Sequence, residues 1–143
     1  MKTTLNKIRA NGPCGSGWEK LLRNLGKTEA DDEPLALTTI LESNGLDDAL
    51  WCLRAVDGHE REMRLFAVEC ARGVQHLMTD KRSRDALDVA ERFANGLATQ
   101  TELAAADAAW AAAWTAADAA GDAAWDAQAN LFILMCEGCY ETT

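Results

Sequence analysis

The chain has 143 residues, of which 48% are hydrophobic and 26% charged, and its formal net charge is −9. This length provides one domain with its own core and is short for two. No stretch approaches the ~18 consecutive apolar residues of a membrane span, and the negative charge disfavours direct binding to nucleic acid or to an anionic membrane.

The N-terminus and the cysteines predict a cytoplasmic location. Residues 1–12 read MKTTLNKIRANG and contain cations without the apolar region of a secretory signal. Without an export signal, an odd number of unevenly spaced cysteines is more typical of reduced thiols than of a disulfide framework. The five are Cys14, Cys52, Cys70, Cys136 and Cys139.

The first two helices are short. A helix over residues 3–10 is expected to end at the turn Asn-Gly-Pro of 11–13. The sequence SGWE at 16–19 fits a capping box, which predicts that a second helix starts there, and Gly26 is placed to stop it.

The next two helices are also short. The run DDEP at 31–34 places anions and a proline where a third helix would begin, and Asn-Gly at 44–45 ends it. A fourth helix is predicted from about Asp47 to Val56, with Gly58 behind it.

Amphipathic patterns continue from there. They predict helices over 59–78 and 80–94, the second closed by Asn-Gly at 95–96. A second capping box, TQTE at 99–102, opens a long Ala-rich helix in which Gly121 is the weak point.

No segment predicts a strand, so the expected fold class is all-α. We predict a single helical domain over residues 1–143, built as a bundle or a stack of short antiparallel helices. The short helices occupy about 1–96, and the long Ala/Trp/Asp helix occupies about 99–135.

The long helix contains an 11-residue repeat. AADAAWAAAWT (105–115) and AADAAGDAAWD (116–126) are identical at eight of eleven positions. Eleven residues make three helical turns, so equivalent positions nearly superimpose and the large side chains share one stripe. At about 100° per residue, two aspartates lie beside the stripe and two lie further round. The candidate partner-binding residues are Asp107, Trp110, Trp114, Asp118, Asp122, Trp125 and Asp126.

Three interpretations of the stripe are open. It packs on the shorter helices as core, it is partly exposed and contacts a partner, or it forms a coiled-coil homodimer. Residues 97–143 contain seven acidic residues and no Lys or Arg, so an exposed stripe would favour a basic partner surface.

Two blocks of the chain carry a resemblance. The chain resembles, over about residues 12–126, a bacterial and phage family of small helical proteins described as immunity proteins. The blocks that carry the resemblance are GPCGSGWEKLLRNLGKTEADDEPL and SNGLDDALWCLRAV. The C-termini of the family members are Ala-Trp-Asp repeats of variable length. The resemblance implies a helical binding protein and brings no catalytic residues with it. Relatives often alternate their repeat with arginine, whereas aspartate is the only charged residue of the repeat here.

Cysteine chemistry is the alternative. Cys136 and Cys139 form a C-x-x-C, but the motif follows a helix, the wrong end of the dipole for a thioredoxin-like thiol. A zinc site would need two more ligands, and no second short-spaced pair of Cys or His exists in the sequence. No nucleophile, base and orienting group form a recognisable set, so we predict no catalytic, cofactor or metal site.

The sequence thus predicts a non-enzymatic, protein-binding inhibitor of a macromolecular effector. An immunity protein or a phage anti-defence protein, for example of anti-CRISPR type, would act in this way. The expected partner is a protein or ribonucleoprotein with a basic surface, without direct nucleic-acid or membrane binding. A Cys-based zinc or redox protein and a self-assembling helical scaffold, including a homodimer, are the alternatives.

Overall fold

The computed structural model describes residues 1–78, 81–106 and 122–138, and among these the side chains of 122–124 are not described. The fold is all-α, as predicted. The helices are α1 Leu5–Ala10, α2 Gly15–Asn24, α3 Leu37–Asn44, α4 Leu46–Cys52, α5 Glu60–Gly73, α6 Lys81–Ala94, α7 over 100–106 and α8 Asp122–Glu137.

One short antiparallel ladder accompanies the helices. Strand β1, Lys2–Thr3, pairs with β2, Leu35–Ala36. The buried Thr3 hydroxyl donates to the Ala55 carbonyl, which ties the ladder to the turn after α4. The expectation of no strand is wrong here, because two-residue strands are too short to show an alternating pattern.

The third helix begins later than predicted, at Leu37 rather than in the DDEP run at 31–34. The Lys27 ammonium lies 2.6 Å from carboxylate oxygens of both Asp31 and Glu33. The Asp31 carboxylate also accepts the Glu33 amide at 3.1 Å, an Asx-type turn that competes with helix formation. Local turn contacts and pairing with β1 therefore occupy the segment in which a helix was expected.

The two predicted capping boxes differ in outcome. Cys14 is the N-cap of α2 and makes no side-chain cap hydrogen bond, so the predicted start at Ser16 is wrong. Ahead of α7, the Thr99 hydroxyl accepts from the Glu102 amide at 3.2 Å, and the Glu102 carboxylate accepts from the Thr99 amide at 2.8 Å. This reciprocal pair confirms the box at 99–102.

The predicted glycine stops are confirmed at two helix ends. Gly26 has φ +65° after α2, and Gly96 has φ +72° after α6. In each case the following residue donates back across the turn, Lys27 to the Leu22 carbonyl and Leu97 to the Arg92 carbonyl. These are Schellman motifs, which pair carbonyls that a helix end leaves open.

Two predicted helices end earlier than expected. The helix predicted over 47–56 is α4, Leu46–Cys52, followed by a 3₁₀ turn at Leu53–Ala55. The helix predicted over 59–78 is α5, Glu60–Gly73, followed by a 3₁₀ turn at Gln75–Leu77.

The described residues group into two compact units. The first comprises Met1–His59 with the described residues after Met135, and the second comprises described residues from Glu60 to Met135. In the first unit, the core of α1 to α4 is formed by buried Leu5, Ile8, Leu21, Leu37, Ile40 and Ala49. The division of the chain into domains stays a prediction.

The second unit has its own core. Val68 of α5, Ala90 of α6 and Leu103 of α7 form one buried cluster. Arg72 of α5 donates to the carboxylates of Asp88 at 2.6 Å and Glu91 at 2.7 Å, which joins α5 to α6. Among the described residues, no helix is both long and apolar enough to cross a lipid bilayer.

Candidate partner-binding site

Helix α8 presents a half-exposed tryptophan. Trp125, the fourth residue of the helix, is 40% exposed, and the neighbouring Asp126 is also exposed. The 16 residues of α8 contain two aspartates and one glutamate and no cation. An indole and a carboxylate therefore face solvent side by side on a helix without basic groups.

The stripe predicted for this helix has two environments. Phe132 follows Trp125 by seven residues, about two turns, so the two side chains lie on the same side of α8. Phe132 is fully buried and packs edge-on against Phe66, with ring centroids 5.9 Å apart and an interplanar angle of 81°. One end of the stripe is core, while Trp125 retains solvent contact.

Leu134 marks the other side of the helix. It is 45% exposed and lies nine residues after Trp125, about 180° round the helix axis. It provides a matched apolar position on the side of α8 opposite Trp125.

The structure describes only some of the seven predicted site residues. Trp125 and Asp126 are exposed on α8, and Asp122 is the first residue of that helix. The remaining four predictions lie outside the described residues: Asp107, Trp110, Trp114 and Asp118. The continuity of the long helix predicted over 99–135 also falls partly outside them.

The thiols of the C-x-x-C alternative are only partly described. Cys136 is buried, and this burial raises its pKa to about 11, whereas Cys139 lies outside the described residues. A thiol with that pKa is protonated at neutral pH, which makes it a poor nucleophile and metal ligand. In the described ranges, no group of three or more His, Cys, Asp or Glu could hold a metal ion.

A second candidate site, absent from the sequence predictions, is a small pocket in the first unit. It has a volume of about 70 Å³ and is lined by residues of α1, α2, α3 and α4. The indoles of Trp18 and Trp51 line it together with Cys14, Cys52 and the carboxylate of Asp48. We call it the indole pocket.

The position of Asp48 is fixed by its neighbours. Its Oδ2 accepts from the Asn44 side-chain amide at 2.7 Å, and the same amide donates to the Gly17 carbonyl at 2.9 Å. A Cβ at position 17 would lie 2.9 Å from Asp48 Oδ2 and 3.0 Å from Cys14 Sγ. A side chain at position 17 would therefore displace this carboxylate from its present position.

The sequence contained a partial signal for the indole pocket. Its lining comes largely from the two blocks that carry the family resemblance, GPCGSGW and SNGLDDALWC. Periodicity assigned their large residues to helix faces. It does not reveal that the two blocks line one pocket.

Comparison with known protein families, curated proteins and solved structures found no match to this chain. The resemblance to immunity proteins therefore stays a prediction.

Proposed function

We propose that this chain is a non-enzymatic inhibitor that binds and neutralises a macromolecular effector, as an immunity protein or a phage anti-defence protein does. The observation that carries the proposal is the exposed pair Trp125 and Asp126 on the cation-free helix α8. We call this pair and the surface around it the Trp125 face.

The Trp125 indole supplies the expected binding energy. Interface hot spots are enriched in tryptophan, and truncating one costs about 2 kcal/mol or more of binding free energy. Trp125 is 40% exposed, so the rest of its surface is covered by the chain itself. An indole held in this way loses less rotamer freedom on binding than a fully exposed one.

The negative charge of the C-terminal segment indicates the kind of partner that we propose. Residues 97–143 contain seven acidic residues and no Lys or Arg. Opposite charge accelerates encounter and selects partners, and a basic surface is the natural complement. Proteins that grip nucleic acid present such surfaces, so we propose a protein or ribonucleoprotein effector of this class.

Quantitative affinity capture tests the proposal. The tagged chain is expressed in the cells that naturally produce it, and recovered proteins are compared between the wild type, Trp125→Ala and Asp126→Lys. We expect one effector with a basic surface to be recovered with the wild type and reduced at least about tenfold with Trp125→Ala, since about 1.4 kcal/mol corresponds to a factor of ten. Asp126→Lys is expected to slow association and to weaken its salt dependence.

Leu134→Ala is the matched control. It removes an exposed apolar side chain from the opposite side of the same helix and is expected to leave recovery unchanged. Equal recovery with the wild type and Trp125→Ala, or an equal loss with Leu134→Ala, would contradict the role of the Trp125 face. Activity of the purified effector, measured with and without the chain, then tests neutralisation.

A further inference from the structure

The indole pocket combines aromatic walls with one negative charge. Asp48 is the only charged residue in its lining, which contains no Lys, Arg or His. Among the described residues, no cation forms an ion pair with Asp48 within 4.0 Å. A half-buried carboxylate in a pocket that two indoles also line attracts a cation that has an apolar stem.

One oxygen of this carboxylate is available. Oδ2 accepts the Asn44 amide, whereas Oδ1 accepts no hydrogen bond from the described part of the chain. The charge of Asp48 also acts inside the pocket: after burial, it is the second cause that raises the pKa of the Cys52 thiol to about 12. Arg54 acts on the same thiol in the opposite direction. Asp48 thus contributes the carboxylate of the pocket, and its Oδ1 is an acceptor that no described residue uses.

The size and the neighbours of the pocket favour a guanidinium. A volume of about 70 Å³ is several times the ~10–15 Å³ that one water needs, so the pocket has room for a small head group. A guanidinium both stacks on an indole face and donates to a carboxylate. The chain itself provides an example at the pocket edge, where Arg54, outside the lining, lies 4.5 Å from the Trp51 ring centroid.

We propose that the indole pocket is a binding site for an alkylguanidinium, which donates to Oδ1 of Asp48 and packs its flat head against Trp18. The ligand is a free alkylguanidine or an arginine side chain of a polypeptide, which present the same chemistry. The site is independent of the Trp125 face, so either proposal stands without the other.

Titration followed by NMR tests the site. The indole N–H signals of Trp18 and Trp51 are assigned with the Trp18→Phe and Trp51→Phe variants of the ¹⁵N-labelled chain. The probes are n-butylguanidinium, n-butylammonium and the uncharged n-butylurea. We expect saturable shifts of the Trp18 signal with butylguanidinium, weaker binding of butylammonium and none of butylurea. No saturable shift with butylguanidinium, or equal binding of butylurea or butylammonium, would overturn the proposal.

Two matched pairs of variants locate the site. Asp48→Asn is expected to weaken butylguanidinium binding at least about tenfold, because a charge-assisted hydrogen bond is lost. Asp47→Asn, at the adjacent exposed position, is expected to bind butylguanidinium as the wild type does. Gly17→Ala moves the carboxylate and is expected to weaken binding, while Gly15→Ala, with open space around it, is not. Unchanged binding in both Asp48→Asn and Gly17→Ala would contradict the assignment. The comparison of the three probes on the wild type remains decisive if a variant fails to fold.

A further experiment distinguishes a free alkylguanidine from an arginine side chain as the ligand. The tripeptide Gly-Arg-Gly is compared with Gly-citrulline-Gly, which has the same shape without the charge. Binding of the arginine peptide alone supports an arginine side chain as the ligand, and binding of butylguanidinium without either peptide supports a free small molecule. Equal binding of both peptides would overturn the proposal, because the site would then not recognise the cation.

Discussion

Glu102 shows how a single carboxylate anchors a helix start. Its pKa is lowered from the ordinary value of 4.5, first because it accepts the Thr99 amide and then because it accepts the Thr99 hydroxyl, with a smaller contribution from Arg92. A carboxylate whose pKa is lowered by folding stabilises the protein above the unfolded-state value. That stabilisation is lost as the pH falls through the lower folded-state value.

We therefore expect Glu102→Gln to reduce the pH dependence of stability. The free energy of unfolding in urea, measured at neutral pH and at about pH 3, should fall less on acidification in Glu102→Gln than in the wild type. Glu19→Gln, at an exposed position without a hydrogen bond from the described residues, should keep the wild-type fall. An identical fall in Glu102→Gln and the wild type would show that the capping box makes no pH-dependent contribution.

The buried and exposed thiols should differ in their rates of alkylation. Burial raises the pKa of Cys52 and Cys70 to about 12 and that of Cys136 to about 11, whereas Cys14 is exposed. Iodoacetamide at neutral pH should therefore alkylate Cys14 in the folded chain much faster than these three, as read by peptide mass spectrometry. Denatured protein is the control, in which all four should react alike. Rapid alkylation of Cys136 in the folded chain would revive the redox alternative.

Among the elements, the helix stops at glycine were easier to predict than the starts of α2 and α3. The stops at Gly26 and Gly96 require only a residue that tolerates positive φ, which is a local property of glycine. The start of α3 could not be predicted from helix propensity, because Lys27 and strand β1 hold residues 31–36 outside the helix. Propensity does not include specific contacts, and the pairing of β1 with β2 joins residues distant in the sequence.

Gly96→Ala tests the role of the helix stop. At φ +72° an alanine is strained, and we expect a loss of about 1–2 kcal/mol in the free energy of unfolding measured with urea. Gly73→Ala is the matched control, because both positions have open space for a Cβ but Gly73 does not have a positive φ. A loss in Gly73→Ala as large as in Gly96→Ala would contradict the backbone explanation.

At the scale of the whole molecule, α8 serves both the core and the surface. Phe132 and Trp125 share one side of the helix, but one is fully buried and the other 40% exposed. Helical periodicity placed both residues on one stripe. It could not show which part of the stripe is covered, because that depends on the tertiary packing of residues such as Phe66. The indole pocket was missed for the same reason, since its walls come from separate helices.

The two aromatic positions should separate stability from binding. We expect Phe132→Ala to cost about 3–5 kcal/mol in the free energy of unfolding, the range for a fully buried phenylalanine. Trp125→Ala should cost at least about 2 kcal/mol less than Phe132→Ala, because its indole is already partly solvated. Chemical denaturation of both variants measures this difference. Equal losses would mean that Trp125 is a core residue and would weaken the proposed function.

Photo-crosslinking in cells tests whether the Trp125 face contacts an effector. A photoreactive phenylalanine analogue is introduced at Trp125 in one variant and at Leu134 in another, and both are irradiated in the cells that naturally produce the chain. We predict a discrete adduct with one protein of basic surface from position 125 and not from position 134. An adduct of equal yield from both positions, no adduct from position 125, or only an adduct with a second copy of the chain would contradict it.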